Sequence, residues 1–250
     1  MRPSGQSIAA LLLAGVTSAC AAIGAAPSKG GAVRTVGIIS AVGDELTVTK
    51  AGLTGVKTRE RSLPIGSWGI DDLIVGRTGA LLSRRFQVRP VTYRRAAFAA
   101  SESPPAFVIM NLRRDPIGET VRAEVSPQGL DIYLVITKAT STYADRSRTV
   151  AGIGIIKHQT LFASYVQLHA LYMIRVIDGH DLRVIDKRSA SPLDHRETVR
   201  LAGPSRVVDE SFLPDGSDGS GNQKLQAAIT ELIEHSLPDA LESLNLLDRS

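Results

Sequence analysis

Residues 35–41 (TVGIISA) form a mostly apolar run that ends at Gly43-Asp44, the pattern of a buried strand, and residues 46–49 alternate as a second strand. The two read as a hairpin around a tight turn. Residues 67–85 carry helical periodicity, with Leu73, Ile74, Leu81 and Leu82 on the apolar side. Ser67 or Asp71 can cap that helix, Asp71 and Asp72 sit in its first turn, and Arg84-Arg85 close the end where the dipole favours cations. Strand character resumes at Phe86, Val88 and Val91, so the order strand, helix, strand implies a crossover and a parallel pair.

A short helix is expected over 93–100, stopped by Ser103-Pro104-Pro105, and another over 116–125 with Pro116 in its first turn. Beyond it the pattern changes. Residues 130–138, 150–157, 161–177 and 182–187 are strands in near succession, joined by polar turns such as Asp178-Gly179-His180-Asp181, and they read as an antiparallel meander. A polar, Gly-rich segment over 215–222 precedes an amphipathic helix with Leu225, Ile229, Leu232 and Ile233 on one face. Pro238 is expected to end or restart it before Leu241, Leu244 and Leu247. The predicted fold class is therefore α/β (α+β): a mixed β-sheet with an N-terminal strand-helix-strand crossover, an antiparallel meander and a closing C-terminal helix. It is expected to form one domain over residues 34–250.

The first 33 residues are of another kind. Arg2, the apolar run 8–16 and the small residues Thr17-Ser18-Ala19 have the make-up of a signal peptide over 1–19, with an apolar stretch too short for a permanent membrane span. The other long apolar stretch, 161–177, is interrupted by Gln167, His169 and Arg175. Residues 20–33, rich in Ala, Gly, Ser and Pro, read as a flexible tether. Cys20 is the one cysteine, which excludes a disulfide within the chain. Its position resembles the lipidated cysteine of bacterial lipoproteins. Ser18 and Ala19 fit the lipobox, Thr17 stands where Leu is usual, and Ala21 rather than Asp resembles the outer-membrane sorting signal. Ordinary cleavage after Ala21 or Ala22, discarding Cys20, is the other reading and would leave a soluble periplasmic protein.

Composition adds limits. A 43% hydrophobic and 22% charged chain suits a folded domain rather than a disordered tail. The net charge of +4, which drops by one when Arg2 leaves with the leader, demands no polyanionic partner. Arg84-Arg85, Arg94-Arg95 and Arg113-Arg114 lack the interleaved aromatics of a base-stacking surface, so no nucleic acid is expected as a partner.

Motifs for covalent chemistry fail one by one. Gly43-Asp44-Glu45 lies after the first strand, where a GDSL-type esterase has its serine, and Glu45 occupies that place. There is no G-x-S-x-G elbow and no Walker A sequence. Gly152-x-Gly154 lacks the third glycine of a dinucleotide loop and reads as close strand packing. His158, His169, His180, His195 and His235 have no metal-ligand spacing, and Asp215-Gly216-Ser217-Asp218-Gly219 lacks the acids of a calcium loop. No catalytic residue, cofactor or metal is therefore expected; lipidation of Cys20 is the one assigned modification. If the chain is instead an enzyme or ligand-binding protein, Glu45, Asp71 and Asp72 near the ends of the early elements are its candidate site.

Val36–Val42, the strand 131–138 and the segment 172–185 (YMIRVIDGHDLRVI), with its Asp-Gly turn between two strands, carry a family pattern. The chain resembles the periplasmic domains of the curli-secretion lipoprotein and of the TolB amino-terminal domain, over roughly residues 34–247. The resemblance implies a non-enzymatic domain that assembles or scaffolds envelope machinery. It would lie in the periplasm, anchored to the outer membrane through Cys20, with other envelope proteins or copies of itself as partners.

Overall fold

The computed structural model describes residues 34–51, 58–99, 115, 117–125, 128–143, 148–159, 164–192, 201–214 and 222–247. The leader, Cys20, the tether, Ser103-Pro104-Pro105, His195 and residues 215–221 lie outside them. In chain order the strands are β1 (Thr35–Ala41), β2 (Glu45–Ala51), β3 (Thr58–Pro64), β4 (Gln87–Arg89), β5 (Ile132–Lys138), β6 (Thr140–Tyr143), β7 (Arg148–Ala151), β8 (Ile153–Gln159), β9 (Ser164–Ala170), β10 (Tyr172–Asp178), β11 (Val184–Ser189) and β12 (Ser205–Val208). The helices are α1 (Ile70–Leu82), α2 (Arg95–Ala99), α3 (Ile117–Glu124) and α4 (Gln223–Ser243).

The strands form two five-stranded sheets, ordered β11-β10-β5-β1-β4 and β12-β9-β8-β2-β3, together with a β6-β7 ribbon. In the first sheet β1 lies parallel to both β4 and β5, which bears out the crossover through α1. All seven residues of β5 are buried, as an interior strand with both faces covered requires. Its alternate residues enter two different cores. Ile132, Leu134 and Ile136 join α1 and α4, whereas Tyr133 and Val135 join α2 and α3.

Three expectations are corrected. First, β1 and β2 are no hairpin: they do not pair, β2 instead running parallel to β8 and antiparallel to β3 in the second sheet. The chain passes from one sheet to the other through Val42, Gly43 and Asp44. Second, the single strand expected over 161–177 is two strands. Leu171 is the pivot, donating its N–H to the Gly152 carbonyl at 2.8 Å, and β9 and β10 fall in different sheets. The expected meander is thus divided between sheets, with β10 beside β5 and β11, and β9 beside β8 and β12. Third, α4 runs through Pro238. Pro238 stands on the half-exposed side of a helix whose other side buries Leu225, Ile229, Leu232, Ile233, Leu237 and Leu241. That apolar face outweighs the one backbone bond that proline cannot donate.

The polar residues that interrupt 161–177 are all buried, and each has at least one hydrogen-bond partner, although His169 Nε2 has none among the described residues. Gln167 donates to Ser205 Oγ at 3.1 Å, and His169 Nδ1 meets the Gly152 carbonyl at 3.0 Å. Arg175 donates to Thr137 Oγ1 at 2.7 Å and to Asp115 at 3.0 Å. Burial acts to raise the Asp115 pKa, but the Arg175 guanidinium, the Ile117 N–H and the Lys187 ammonium together outweigh it and hold the carboxyl below its ordinary value. Among the described residues no helix is long and apolar enough to cross a membrane.

Candidate functional site

The order β4-β1-β5 places the two crossover connections on opposite sides of β1, with α1 against one face of the sheet and α2 and α3 against the other. Such a reversal leaves a crevice outside the carboxyl ends of the two central parallel strands. That crevice is present here, a pocket of about 590 Å³ beside Ala41 and Gly43 after β1 and Lys138 at the end of β5. It lies where the first sheet gives way to the second.

Local bonding explains why the crevice stays open and ordered. β4 pairs with β1 only as far as Gly37, so the edge of β1 beyond that point needs other partners. Tyr93 Oη accepts the Ser40 N–H at 3.0 Å and donates to the Ser40 carbonyl at 3.1 Å. Asp71, 5% exposed, accepts from Ser40 Oγ at 2.6 Å, from the Val42 N–H at 2.8 Å and from the Gly43 N–H at 3.3 Å. This corrects the expected capping role. Neither Ser67 nor Asp71 caps α1, whose N-cap is Gly69 with a φ of 66°; Ser67 instead lies in a separate 3₁₀ turn, Gly66–Trp68. Gly43 permits the approach of α1, since a Cβ there would stand 2.6 Å from Ile70 Cβ.

The remaining lining is charged. Lys138, 9% exposed, lays its stem against Gly152 and places Nζ 2.7 Å from Asp44. Gly154, the second glycine of the pair, packs against the His169 ring, whose Nε2 would lie 2.5 Å from a Cβ at that position. Glu45 opens β2 with its side chain exposed at the pocket rim. Arg95, in the first turn of α2, faces the pocket and is bonded to Asp72. Asp72 itself lines a second hollow of about 710 Å³ between α1 and residues 88–93, with Ile38, Val75 and Val91.

The candidate carboxylates thus separate. Glu45 and Asp71 share one pocket, Asp71 in a structural role, and Asp72 faces the neighbouring hollow. Lys138 is not marked in the sequence as a site residue and Arg95 only as half of the Arg94-Arg95 pair, although a lysine ending the apolar run 130–138 was an available signal. His180 lies in the β10–β11 turn with Nε2 3.9 Å from Asp131, and among the described residues no group of three His, Cys, Asp or Glu side chains converges as a metal ion needs.

No protein-family model and no curated protein matches the chain. Solved structures similar at a distance include the following three. The hypothetical protein CT253 from Chlamydia trachomatis has a TM-score of 0.35 and 7% identity, over 86% of this chain and 96% of that one. Lipoprotein GNA1162 from Neisseria meningitidis has a TM-score of 0.29 and 12% identity, over 82% and 99%. The PelC dodecamer from Paraburkholderia phytofirmans has a TM-score of 0.28 and 12% identity, over 91% and 94%.

Proposed function

We propose that the chain is exported to the cell envelope, is held at the outer membrane by lipid on Cys20, and serves there as an interaction domain that works by non-covalent recognition. Export and anchoring are supported by Arg2, the apolar run 8–16 and Cys20, followed by a sequence rich in Ala, Gly, Ser and Pro ahead of β1. Acyl chains contribute about 0.8 kcal/mol per buried CH₂, so several on one residue anchor a domain stably. Partners are then other envelope proteins, a second copy of the chain, or molecules that the envelope contains.

Recognition is carried by one observation: the division of roles within the corner pocket. Asp71 is committed to three donors of the scaffold, whereas Glu45 and Lys138 keep hydrogen-bonding capacity at the pocket surface. Lys138 is held in place by its stem against Gly152 and its bond to Asp44, yet is incompletely partnered, which favours a ligand that completes it.

Anchoring is tested by intact mass and membrane fractionation of the wild type and of Cys20→Ala. An acylated chain in the membrane fraction, lost in the variant, is expected. An unmodified chain that keeps Met1 and stays in the cytosol would overturn the envelope reading.

A further inference from the structure

The pocket carries both signs of charge on different elements. Asp44 and Glu45 come from the corner and the start of β2, Lys138 from the end of β5, and Arg95 from α2. Glu45 has no side-chain partner among the described residues. Lys138 has one there, Asp44 at 2.7 Å, which occupies a single N–H of an ammonium that offers three. Arg95 brings a fork of five donors, bonded on one side to Asp72. Between these groups the lining is short and apolar, with Ala96 and Ala99 leaving room.

Resting on the binding reading above, we propose that this pocket takes a small zwitterion, a molecule with a free ammonium and a free carboxylate. Glu45 receives the ammonium, and Lys138 with Arg95 receives the carboxylate. A purely anionic ligand would meet Asp44, Glu45 and Asp71 in the same space, and a purely cationic one would meet Lys138 and Arg95. A ligand bearing both charges finds an unpaired carboxylate in Glu45 and spare donors on Lys138 and Arg95, each of which already holds one acid. The volume of about 590 Å³ accommodates a free amino acid or a dipeptide.

The test is calorimetric titration with alanyl-alanine, its N-acetyl form and its C-terminal amide. The dipeptide is expected to bind, and each blocked form to bind at least about tenfold more weakly, the effect of losing one charge-assisted contact. Glu45→Gln, at an exposed position, should weaken the dipeptide about tenfold and leave the N-acetyl form unchanged; Arg95→Gln should do the converse with the amide. Equal binding of all three forms, or binding of one blocked form alone, overturns the zwitterion assignment and leaves the pocket a binding site. Binding by none overturns the assignment as well, while the envelope reading still rests on the fate of Cys20.

Discussion

The Ser40 hydroxyl donates to the Asp71 carboxylate at 2.6 Å, joining the end of β1 to the first turn of α1. The same oxygen takes the Val42 N–H at 2.8 Å, so Asp71, together with Tyr93 on the Ser40 backbone, replaces the strand that β1 lacks beyond Gly37. Asp71→Ala leaves these buried donors unpaired and is expected to cost about 3 kcal/mol in urea unfolding. Asp71→Asn keeps one acceptor oxygen and should cost less. A loss in Asp71→Ala below about 1 kcal/mol would show that water replaces the carboxylate.

Gly66 offers a way to close the pocket without touching its charges. It lines the cavity, a Cβ there meets nothing within 4 Å, and its backbone lies outside the left-handed region. Gly66→Phe should therefore leave the melting temperature within about 2 °C of the wild type and abolish dipeptide binding. Unchanged affinity in a folded variant would place the ligand elsewhere.

His169 makes stability depend on pH. Burial draws its pKa down from 6.5 to about 4, partly opposed by the bond to the Gly152 carbonyl. The unfolded chain takes up the proton near 6.5, while the folded chain refuses it until about 4. The stabilisation is complete above the higher value, falls as pH drops between the two, and levels off below the lower one. It amounts to about 3 kcal/mol. His158, lowered by burial and by Arg148, acts in the same direction. Unfolding free energies at intervals from pH 7 to 4 should show a shallower slope in His169→Gln than in the wild type. Identical slopes would remove His169 from this role.

Gly179 is required for space. A Cβ at this position would stand 1.7 Å from the Leu130 carbonyl oxygen, and the left-handed residue of the turn is Leu182, with a φ of 58°. Gly179→Ala forces the β10–β11 turn off the start of β5 and should cost about 3 kcal/mol or more, read from chemical denaturation. A cost below about 1 kcal/mol would show that the turn moves freely.

Much of the fold was legible because its signals are local. The apolar runs of β1 and β5, the acids at the start of α1 and the spacing of Leu225, Ile229 and Leu232 in α4 each act within one element. The division into two sheets was not. Gly43-Asp44 looks alike whether the chain reverses into a hairpin or crosses a corner, because β2 is half-buried in both cases and its partner β8 is distant in sequence. β3 (TRERSLP) carries no apolar alternation because it is an edge strand with largely exposed side chains. In the site, Glu45 and Asp71 were visible as acids beside element ends. Lys138 and Arg95 were hidden because only the parallel pairing of β1 with β5, and the position of α2, bring them to the same crevice.

The corner pocket as the recognition site is tested most directly by following the backbone amide signals of ¹⁵N-labelled protein as alanyl-alanine is added. Shifts are expected to gather at Gly43, Asp44, Glu45, Gly66, Ala96 and Lys138, all of which line the one cavity. Shifts confined to the neighbouring hollow around Val75 and Val91, or none at all, would contradict the corner pocket as that site.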